Sequence, residues 1–261
     1  MTPIDSTSPA AAGMTNFAWT CRRQALTVIS LVLLTAGALV MLAAALATLF
    51  RARRFYSEVI MKWLGRVLLW LWGIRVVVHA DHPFPQAQTI YISNHTSTLD
   101  MFALVSLGLP NARFFLSGYL RKLIPLGIIG YLVGIFWTVP QDYPEKRTRI
   151  FQAAERTLRR TGESVYLSPE GTRITTGAIG HFNKGAFHLA TNLGVPIVPF
   201  YIWIPRASDP GKGFESRPGT IHIHVKPAIP TRDWKLPDLE KNRDRIRDLF
   251  VRWREELNPT V

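Results

Sequence analysis

The hydrophobic and polar positions separate an N-terminal apolar segment from a longer region of short alternating patterns. Residues 25–50 (ALTVISLVLLTAGALVMLAAALATLF) contain no charged residue. A helix of this length spans about 39 Å at ~1.5 Å per residue, more than the ~30 Å hydrocarbon core of a bilayer. Signal-peptide cores are shorter, at about 7–15 residues, although Ala45-Leu46-Ala47 resembles a cleavage site. The pattern predicts an uncleaved membrane anchor, with a cleaved signal or a buried core helix as the alternatives.

The next segment, residues 56–74, has the spacing of an amphipathic helix. Glu58, Lys62 and Arg66 recur every four residues and form one polar stripe. The opposite side carries large apolar residues, namely Val59, Trp63, Val67, Trp70 and Leu71. Because tryptophan suits the headgroup zone, the pattern predicts a helix lying in the membrane interface. The alternative is a helix packed on the rest of the protein.

From residue 75 onward, β-branched or aromatic runs alternate with segments of helical spacing. Strands are predicted at residues 75–79, 89–93, 135–139, 164–167, 195–204 and 220–225. Helices are predicted at residues 98–108, 146–161, 181–192 and 236–257, and a Pro- and Gly-rich loop at 205–219. Interleaved strands and helices predict an α/β fold, a layered and mostly parallel sheet flanked by helices, preceded by the N-terminal membrane-binding segment.

These patterns divide the chain into three parts. Residues 1–24 begin with a low-complexity stretch and are predicted to be a disordered tail. Residues 25–74 form the anchor and the interfacial helix, and residues 75–261 form one α/β domain.

The chain is strongly basic, with 31 Lys and Arg against 18 Asp and Glu. Such a surplus attracts nucleic acid, anionic lipid or acidic substrates. The basic residues do not form one run, and the aromatic residues cluster in the anchor region, so nucleic acid is not expected as a partner. Beside a membrane anchor, the expected partner of the positive charge is anionic membrane lipid.

Charge flanking the anchor predicts its orientation. Basic residues follow the anchor at Arg51, Arg53, Arg54, Lys62 and Arg66, against Arg22 and Arg23 before it. By the positive-inside rule, the C-terminal bulk lies in the cytoplasm. The sequence therefore predicts an inner-membrane protein whose α/β domain faces the cytoplasm.

Several chemistries are unsupported by the sequence. A single cysteine, Cys21, excludes an intramolecular disulfide and a cysteine-rich metal site. The chain has no G-x-S-x-G, no G-x-x-x-x-G-K-[ST] and no G-x-G-x-x-G. His222 and His224 alternate on a predicted strand and only share its polar face, so we expect no metal site.

Three polar clusters each lie next to a predicted strand. They are Asn94, His95 and Asp100; the stretch 168–173 (SPEGTR); and the stretch 181–187 (HFNKGAF). Ligands in open α/β sheets bind outside the carboxyl ends of the strands, so these clusters are expected to converge on one edge. His95 follows a strand directly, and Asp100 lies in the first turn of a helix. A capping box from Ser97 to Asp100 would explain Asp100 but not His95.

The chain resembles the membrane glycerolipid acyltransferase family, typified by 1-acylglycerol-3-phosphate acyltransferase. The resemblance rests on Asn94-His95-x4-Asp100 followed by Pro169-Glu170-Gly171-Thr172-Arg173, and on VPIVPF at residues 195–200. It covers about residues 74–230, which makes residues 75–261 an acyltransferase domain. It implies transfer of a fatty acyl group from acyl-CoA or acyl-carrier protein to the free hydroxyl of 1-acylglycerol-3-phosphate, giving phosphatidic acid. No cofactor is expected beyond the acyl donor.

The resemblance also implies roles for residues. Acyl transfer from a thioester needs a base for the acceptor hydroxyl and a site for the developing oxyanion. His95 is expected to be that base, with Asp100 orienting the imidazole and stabilising its charged form. Acceptor or phosphate binding is expected from Glu170, Gly171, Thr172, Arg173 and Lys184. For Glu170 and Arg173 the alternative is a buried ion pair that shapes the loop, and for Lys184 a solvated loop lysine.

The chain departs from the family pattern in its second block. The family has an acidic–arginine pair where this chain has Val139-Pro140, and it commonly has lysine where this chain has Asn183. Further candidate phosphate-binding residues are Lys146, Arg147 and Arg149. The alternative is a different acceptor, such as lyso-ornithine or another amino-acid lipid. Two alternative functions of other classes are a lipid hydrolase and a membrane-tethered protein that binds nucleic acid.

Overall fold

Seven strands form one sheet in residues 9–213 and 215–257, the part of the chain that the computed structural model describes, with side chains from residue 19 onward. The strands are β1 (Ile74–His79), β2 (Ile90–Ser93), β3 (Ala112–Ser117), β4 (Phe136–Thr138), β5 (Ser164–Leu167), β6 (Ile197–Trp203) and β7 (Gly219–Val225). Their order is β1-β7-β6-β2-β5-β3-β4. Only the β6–β7 pairing is antiparallel, so the prediction of a mostly parallel sheet is confirmed.

Helices cover both faces of this sheet. They are α1 (Pro9–Ala47), α2 (Arg53–Phe55), α3 (Lys62–Leu71), α4 (Leu99–Leu107), α5 (Ile124–Val133), α6 (Pro144–Thr161), α7 (Gly185–Leu193) and α8 (Leu239–Leu257). One core cluster joins α1, α3, α4 and α5 to the sheet, and a second joins α6, α7 and α8 to its other face. Successive side chains of a strand point to opposite faces of the sheet. Tyr91 of β2 therefore lies in the first cluster, and Ile90 and Ile92 lie in the second.

Two elements are absent from the sequence predictions, β3 and α5. They lie in residues 112–133, where apolar residues dominate and give neither strict alternation nor a clear helical stripe. Glycines in α5 further lower its helix propensity. Gly130 is required by packing, because a Cβ there would lie 2.2 Å from the Trp137 ring. The predicted helix at 181–192 begins later, at Gly185, because Asn183 N–H bonds to the Pro169 carbonyl in the preceding loop.

Helix α1 is longer at its start than the predicted anchor and shorter at its end. Residues 9–24, expected in a disordered tail, are helical, as their alanine-rich sequence allows. Residues 1–8 lie outside the described residues. The helix stops at Ala47 because Leu49 and Phe50 take left-handed backbone angles, with φ of 50° and 61°, and reverse the chain. Trp19–Ala47 is long and apolar enough to cross a membrane, by length and composition alone.

Helix α1 shares a core with the sheet. Ala38, Met41 and Ala45 are fully buried in the cluster that contains Tyr91 of β2. Trp72, just after α3, donates its indole N–H to Ser30 Oγ at 2.9 Å. The predicted boundary between residues 74 and 75 therefore does not separate two independent cores.

Helix α3 and the π-helical turn before it (Tyr56–Met61) direct their polar stripe toward the protein. Glu58 Oε1 accepts the Asn111 N–H at 2.7 Å, and Arg66 Nε donates to the Ser106 carbonyl at 3.1 Å. Trp63 and Trp70 on the other side are 59% and 77% exposed. The helix thus packs on the domain, which was the alternative to an interfacial helix, and it still presents an apolar outer face.

Candidate active site

The first polar cluster forms a histidine–carboxylate pair at the junction of β2 and α4. His95 Nδ1 lies 2.8 Å from Asp100 Oδ2, and the Asp100 side chain is buried while that of His95 is 27% exposed. When Nδ1–H donates a hydrogen bond to Asp100, the other ring nitrogen, Nε2, keeps its lone pair. The pair can therefore remove a proton from a group that approaches the open side of the ring.

The same Asp100 oxygen also caps α4. Oδ2 accepts the backbone N–H groups of Thr96 and Ser97 at 2.8 and 3.0 Å, and the Leu99 N–H donates to Ser97 Oγ at 3.2 Å. The bond from Ser97 N–H to Asp100 is one half of a capping box, whereas Ser97 Oγ accepts from Leu99 and not from Asp100. The two interpretations of Asp100 are therefore compatible, because one carboxylate oxygen holds both the helix start and the imidazole.

Glu170 is buried beside the pair. Its side chain is buried, Oε2 accepts the His95 N–H at 2.5 Å, and Oε1 accepts the Gly180 N–H at 2.7 Å. Burial raises its pKa to about 7, against the opposing effect of these two backbone donors. The carboxylate ties three loop segments together, and its expected contact with the acceptor stays a prediction.

Arg173 lies at the start of α4. Its Nη1 donates to the Thr98 hydroxyl and to the Lys212 carbonyl, the latter at 3.4 Å. Within the described residues it forms no salt bridge, so the alternative of an ion pair with Glu170 is not observed. Gly171 and Thr172, between these two side chains, are exposed, and Gly171 has a left-handed φ of 67° that glycine adopts without strain.

The other four cationic residues predicted to bind phosphate do not lie together. Arg147 Nη1 donates to the Val139 carbonyl at 3.0 Å, and its Nη2 lies 4.0 Å from the position that a Cβ on Gly171 would occupy. The structure does not bring Lys146, Arg149 or Lys184 to the turn: Lys146 lies over the Tyr143 ring, Arg149 is exposed on α6, and Lys184 pairs with Glu240 of α8. Arg147 alone of these four reaches the turn at 168–173.

A family model described as "Acyltransferase" matches residues 75–203, which contain this histidine–carboxylate pair and the turn. Residues 75–203 of the chain thus match the acyltransferase family.

Similar proteins carry consistent names. The chain is 29% identical over 201 residues to bovine "1-acyl-sn-glycerol-3-phosphate acyltransferase alpha", covering 76% of this chain and 69% of that protein. It is 32% identical over 182 residues to the human "beta" protein, covering 69% and 65%. A Pseudomonas aeruginosa "1-acyl-sn-glycerol-3-phosphate acyltransferase" is 29% identical over 199 residues, covering 69% of each. The crystal structure of the Thermotoga maritima "1-acyl-sn-glycerophosphate (LPA) acyltransferase, PlsC" shares the fold, with a TM-score of 0.77, 20% identity and coverage of 95% and 98%.

Further contacts shape the site through residues to which the sequence analysis gave no role. Asn183 Nδ2 donates to the carbonyls of Pro169 and Glu170 at 2.9 and 3.0 Å and so fixes the turn. Ser93 and Tyr166 share a hydrogen bond of 2.8 Å in the buried layer below His95, and burial raises the pKa of Tyr166. These contacts join residues that are far apart in the sequence, so no spacing along the chain could have indicated them.

An apolar cavity lies between α3, α4 and α5. Met101 and Phe102, which follow Asp100 directly, line it together with Leu64, Leu68, Leu126 and Ile129. Its walls are almost entirely apolar, as a hydrocarbon chain requires. The helix that carries Asp100 therefore also lines an apolar cavity.

His222 and His224 lie on the sheet beside His79, whose ring stacks on that of His224 at 4.3 Å. Burial and neighbouring positive charge lower the pKa of His224 to about 4. Among the described residues, no group of three or more His, Cys, Asp or Glu side chains is arranged to hold a metal ion.

Proposed function

We propose that this acyltransferase moves a fatty acyl group from acyl-CoA or acyl-carrier protein to the free hydroxyl of 1-acylglycerol-3-phosphate, giving phosphatidic acid for phospholipid biosynthesis. The observation that carries the proposal is the His95–Asp100 pair, with its free Nε2, together with an apolar cavity and an arginine-flanked turn. The names of the similar proteins support the same acceptor.

His95 acts as the general base in this reaction. Its Nε2 takes the proton as the acceptor oxygen bonds to the thioester carbonyl carbon, and Asp100 stabilises the imidazolium that forms. The tetrahedral intermediate then expels the thiolate, which takes the proton from the imidazolium. Because a thiolate is a good leaving group, the transfer needs no covalent enzyme intermediate.

The apolar outer faces of α1 and α3 support a site that works at a membrane surface. The outer side of α1 exposes Val28, Leu31, Val32, Leu39 and Val40, and α3 adds its two tryptophans. The α/β domain packs along α1 from Leu26 to Ala45. The inner side of α1 therefore packs on the domain while its outer side is free to contact lipid. The proposed location is the cytoplasmic side of the inner membrane.

An amino-acid lysolipid is the second candidate acceptor, favoured by Val139-Pro140 in place of an acidic–arginine pair. Purified protein in detergent, given oleoyl-CoA with either lysophosphatidate or lyso-ornithine lipid, separates the two by mass spectrometry of the products. We expect phosphatidic acid to form at the higher kcat/KM. Preferential acylation of the ornithine lipid would select the second candidate, and fatty acid release without any acceptor would indicate a hydrolase.

A further inference from the structure

Helix α6 has a surplus of positive charge that α8, the other long helix on its face of the sheet, lacks. It contains six basic and two acidic residues, whereas α8 contains six basic and five acidic residues. One of the two carboxylates, Glu155, is occupied by hydrogen bonds from Arg159 and Asn192 at 3.0 and 2.8 Å. The other, Glu145, lies in the first turn. Most of the positive charge of α6 therefore has no counter-charge on the helix itself.

Four of the basic residues share one exposed side of α6, which we call the basic stripe: Lys146, Arg149, Arg156 and Arg160. Residues at these spacings lie above one another on a helix surface. None of the three arginines forms a salt bridge with another described residue, and Lys146 lies over the Tyr143 ring. The small side chain of Ala153, exposed between them, leaves room for a partner to approach along the helix.

The basic stripe stabilises neither the helix nor its packing. Lys146 is close to the N-terminus of α6, where the helix dipole disfavours a cation. Arg156 and Arg160 are four residues apart, a spacing at which like charges repel and lower helix stability. The helix packs on the domain through its other side, where Ala154 and Leu158 are buried. An anionic partner along the stripe would relieve this repulsion.

The position of the basic stripe favours a soluble partner over the membrane. Helix α6 belongs to the second core cluster, whereas α1 and α3, with their exposed apolar faces, belong to the first cluster on the opposite face of the sheet. A bilayer bound by α1 and α3 therefore lies across the sheet from the stripe. One end of the stripe is nevertheless close to the active site, because Arg147, next to Lys146, reaches the turn at residues 168–173.

We propose that the basic stripe docks an acyl-carrier protein through an acidic helix, so that the carrier presents its thioester to His95. This inference rests on the proposed function, in which acyl-CoA and acyl-carrier protein are both donors. The stripe is about 21 Å long at ~1.5 Å per residue, which suits a row of carboxylates on a facing helix. Coenzyme A is a small molecule that binds at the active site, so the charges at the far end of α6 concern the carrier alone.

Kinetics with the two donors test this surface, because only one donor is a protein. Arg156→Glu with Arg160→Glu reverses two charges at the end of the stripe remote from the active site. The KM for an oleoyl-loaded bacterial acyl-carrier protein should rise at least about tenfold, because charge complementarity governs the association of two proteins. The KM and kcat for oleoyl-CoA should remain as in wild type, which reports an intact fold. Lys241→Glu with Arg245→Glu, at the same spacing on α8, is the matched control and should change neither KM.

Binding of the carrier, measured without catalysis, is the second arm of the test. Fluorescence anisotropy of labelled carrier protein with the full-length enzyme in detergent should give a Kd that increases with salt. The Kd should be at least about tenfold higher for the variant with both arginines of α6 reversed. An equal rise in KM for both donors, or an unchanged KM and Kd for the carrier, would overturn the proposal.

Two further outcomes separate the alternatives. Loss of vesicle binding by the same variant, with the Kd for the carrier retained, would assign the basic stripe to membrane lipid and overturn the proposal. Absence of phosphatidic acid from either donor with the wild-type enzyme would instead count against the proposed function, and the anisotropy measurement would still decide whether the carrier docks on α6.

Discussion

At the scale of single residues, Asp100 combines two tasks that sequence analysis treats as alternatives. One of its oxygens accepts hydrogen bonds from two backbone N–H groups at the start of α4 and from His95 Nδ1–H. The helix cap therefore fixes the position of the carboxylate that orients the base. Local spacing could predict this pair because all its parts lie within six residues.

The first prediction separates these two tasks. Asp100→Asn keeps an oxygen for the helix cap but cannot stabilise a charged imidazolium, so kcat should fall by about a hundredfold to ten-thousandfold. The thermal midpoint in detergent should change little. His95→Ala should abolish transfer and serves as the reference for complete loss. More than a tenth of wild-type turnover in His95→Ala would remove the base from the mechanism.

Glu170 gives a pH-dependent contribution to stability. Its pKa is raised from 4.5 to about 7 because the carboxylate is buried, so the folded protein holds a proton that the unfolded chain loses in this interval. Stability from this group is complete below pH 4.5 and is lost as the pH rises through 7. At ~1.4 kcal/mol per pKa unit, the loss is roughly 3 kcal/mol.

The measurement is the unfolding free energy of wild type and Glu170→Gln across this pH range. The unfolding free energy of the neutral variant should not decline over this range. The difference in unfolding free energy between the two proteins should therefore shrink as the pH rises from 4.5 to 7. Curves that stay parallel would show that Glu170 does not titrate there. Glu170→Gln should also lower kcat, because a glutamine amide cannot accept from both the His95 and the Gly180 N–H groups.

The remaining site residues show where sequence reasoning stops. The Pro-Glu-Gly-Thr-Arg stretch indicated a site, but the place of Glu170 depends on the Gly180 and His95 amides, which the chain supplies from other loops. Three cations near residue 147 could not be told apart, because the phase of α6 relative to the turn is set by tertiary packing. Only Arg147 points toward Gly171.

At the scale of elements, short strands rich in β-branched or aromatic residues were predictable, whereas β3 and α5 were not. Both lie in a run where nearly every position is apolar, and there the period that distinguishes strand from helix is lost. The amphipathic pattern at residues 56–74 was recognised, but the sequence alone could not show which side faces the protein. In the structure the polar stripe lies along α4 and the residues after it, through the hydrogen bonds of Glu58 and Arg66.

This orientation makes the outer face of α3 a membrane contact that can be tested. Trp63→Gln with Trp70→Gln should lower the partitioning of the protein onto anionic vesicles by at least about tenfold, because each exposed indole loses its place in the interface. Sedimentation with vesicles measures the effect. Leu236→Gln is the control, since this exposed leucine precedes α8 on the other side of the sheet. Equal losses from both variants would indicate nonspecific damage.

At the scale of the whole molecule, α1 belongs to the core as well as to the proposed membrane surface. Its inner side buries Leu26, Met41 and Ala45 in the cluster that reaches β2, and its outer side is apolar and exposed. Each large apolar side chain removed from that core costs about 1.5–3 kcal/mol, and a domain is stable by only ~5–15 kcal/mol. A segment that acts purely as an anchor would bury nothing against the domain.

The last prediction distinguishes the two sides of α1. Deleting residues 1–73 should expose the core beneath α1 and α3, so the truncated protein should unfold or aggregate even in detergent. Replacing Val28, Leu31, Val32, Leu39 and Val40 with glutamine alters only the exposed side. That variant should stay folded by thermal unfolding and acylate detergent-solubilised lysophosphatidate, yet lose vesicle binding. A soluble and fully active truncated enzyme would show that the helical hairpin contributes nothing to the fold and serves only to attach the protein.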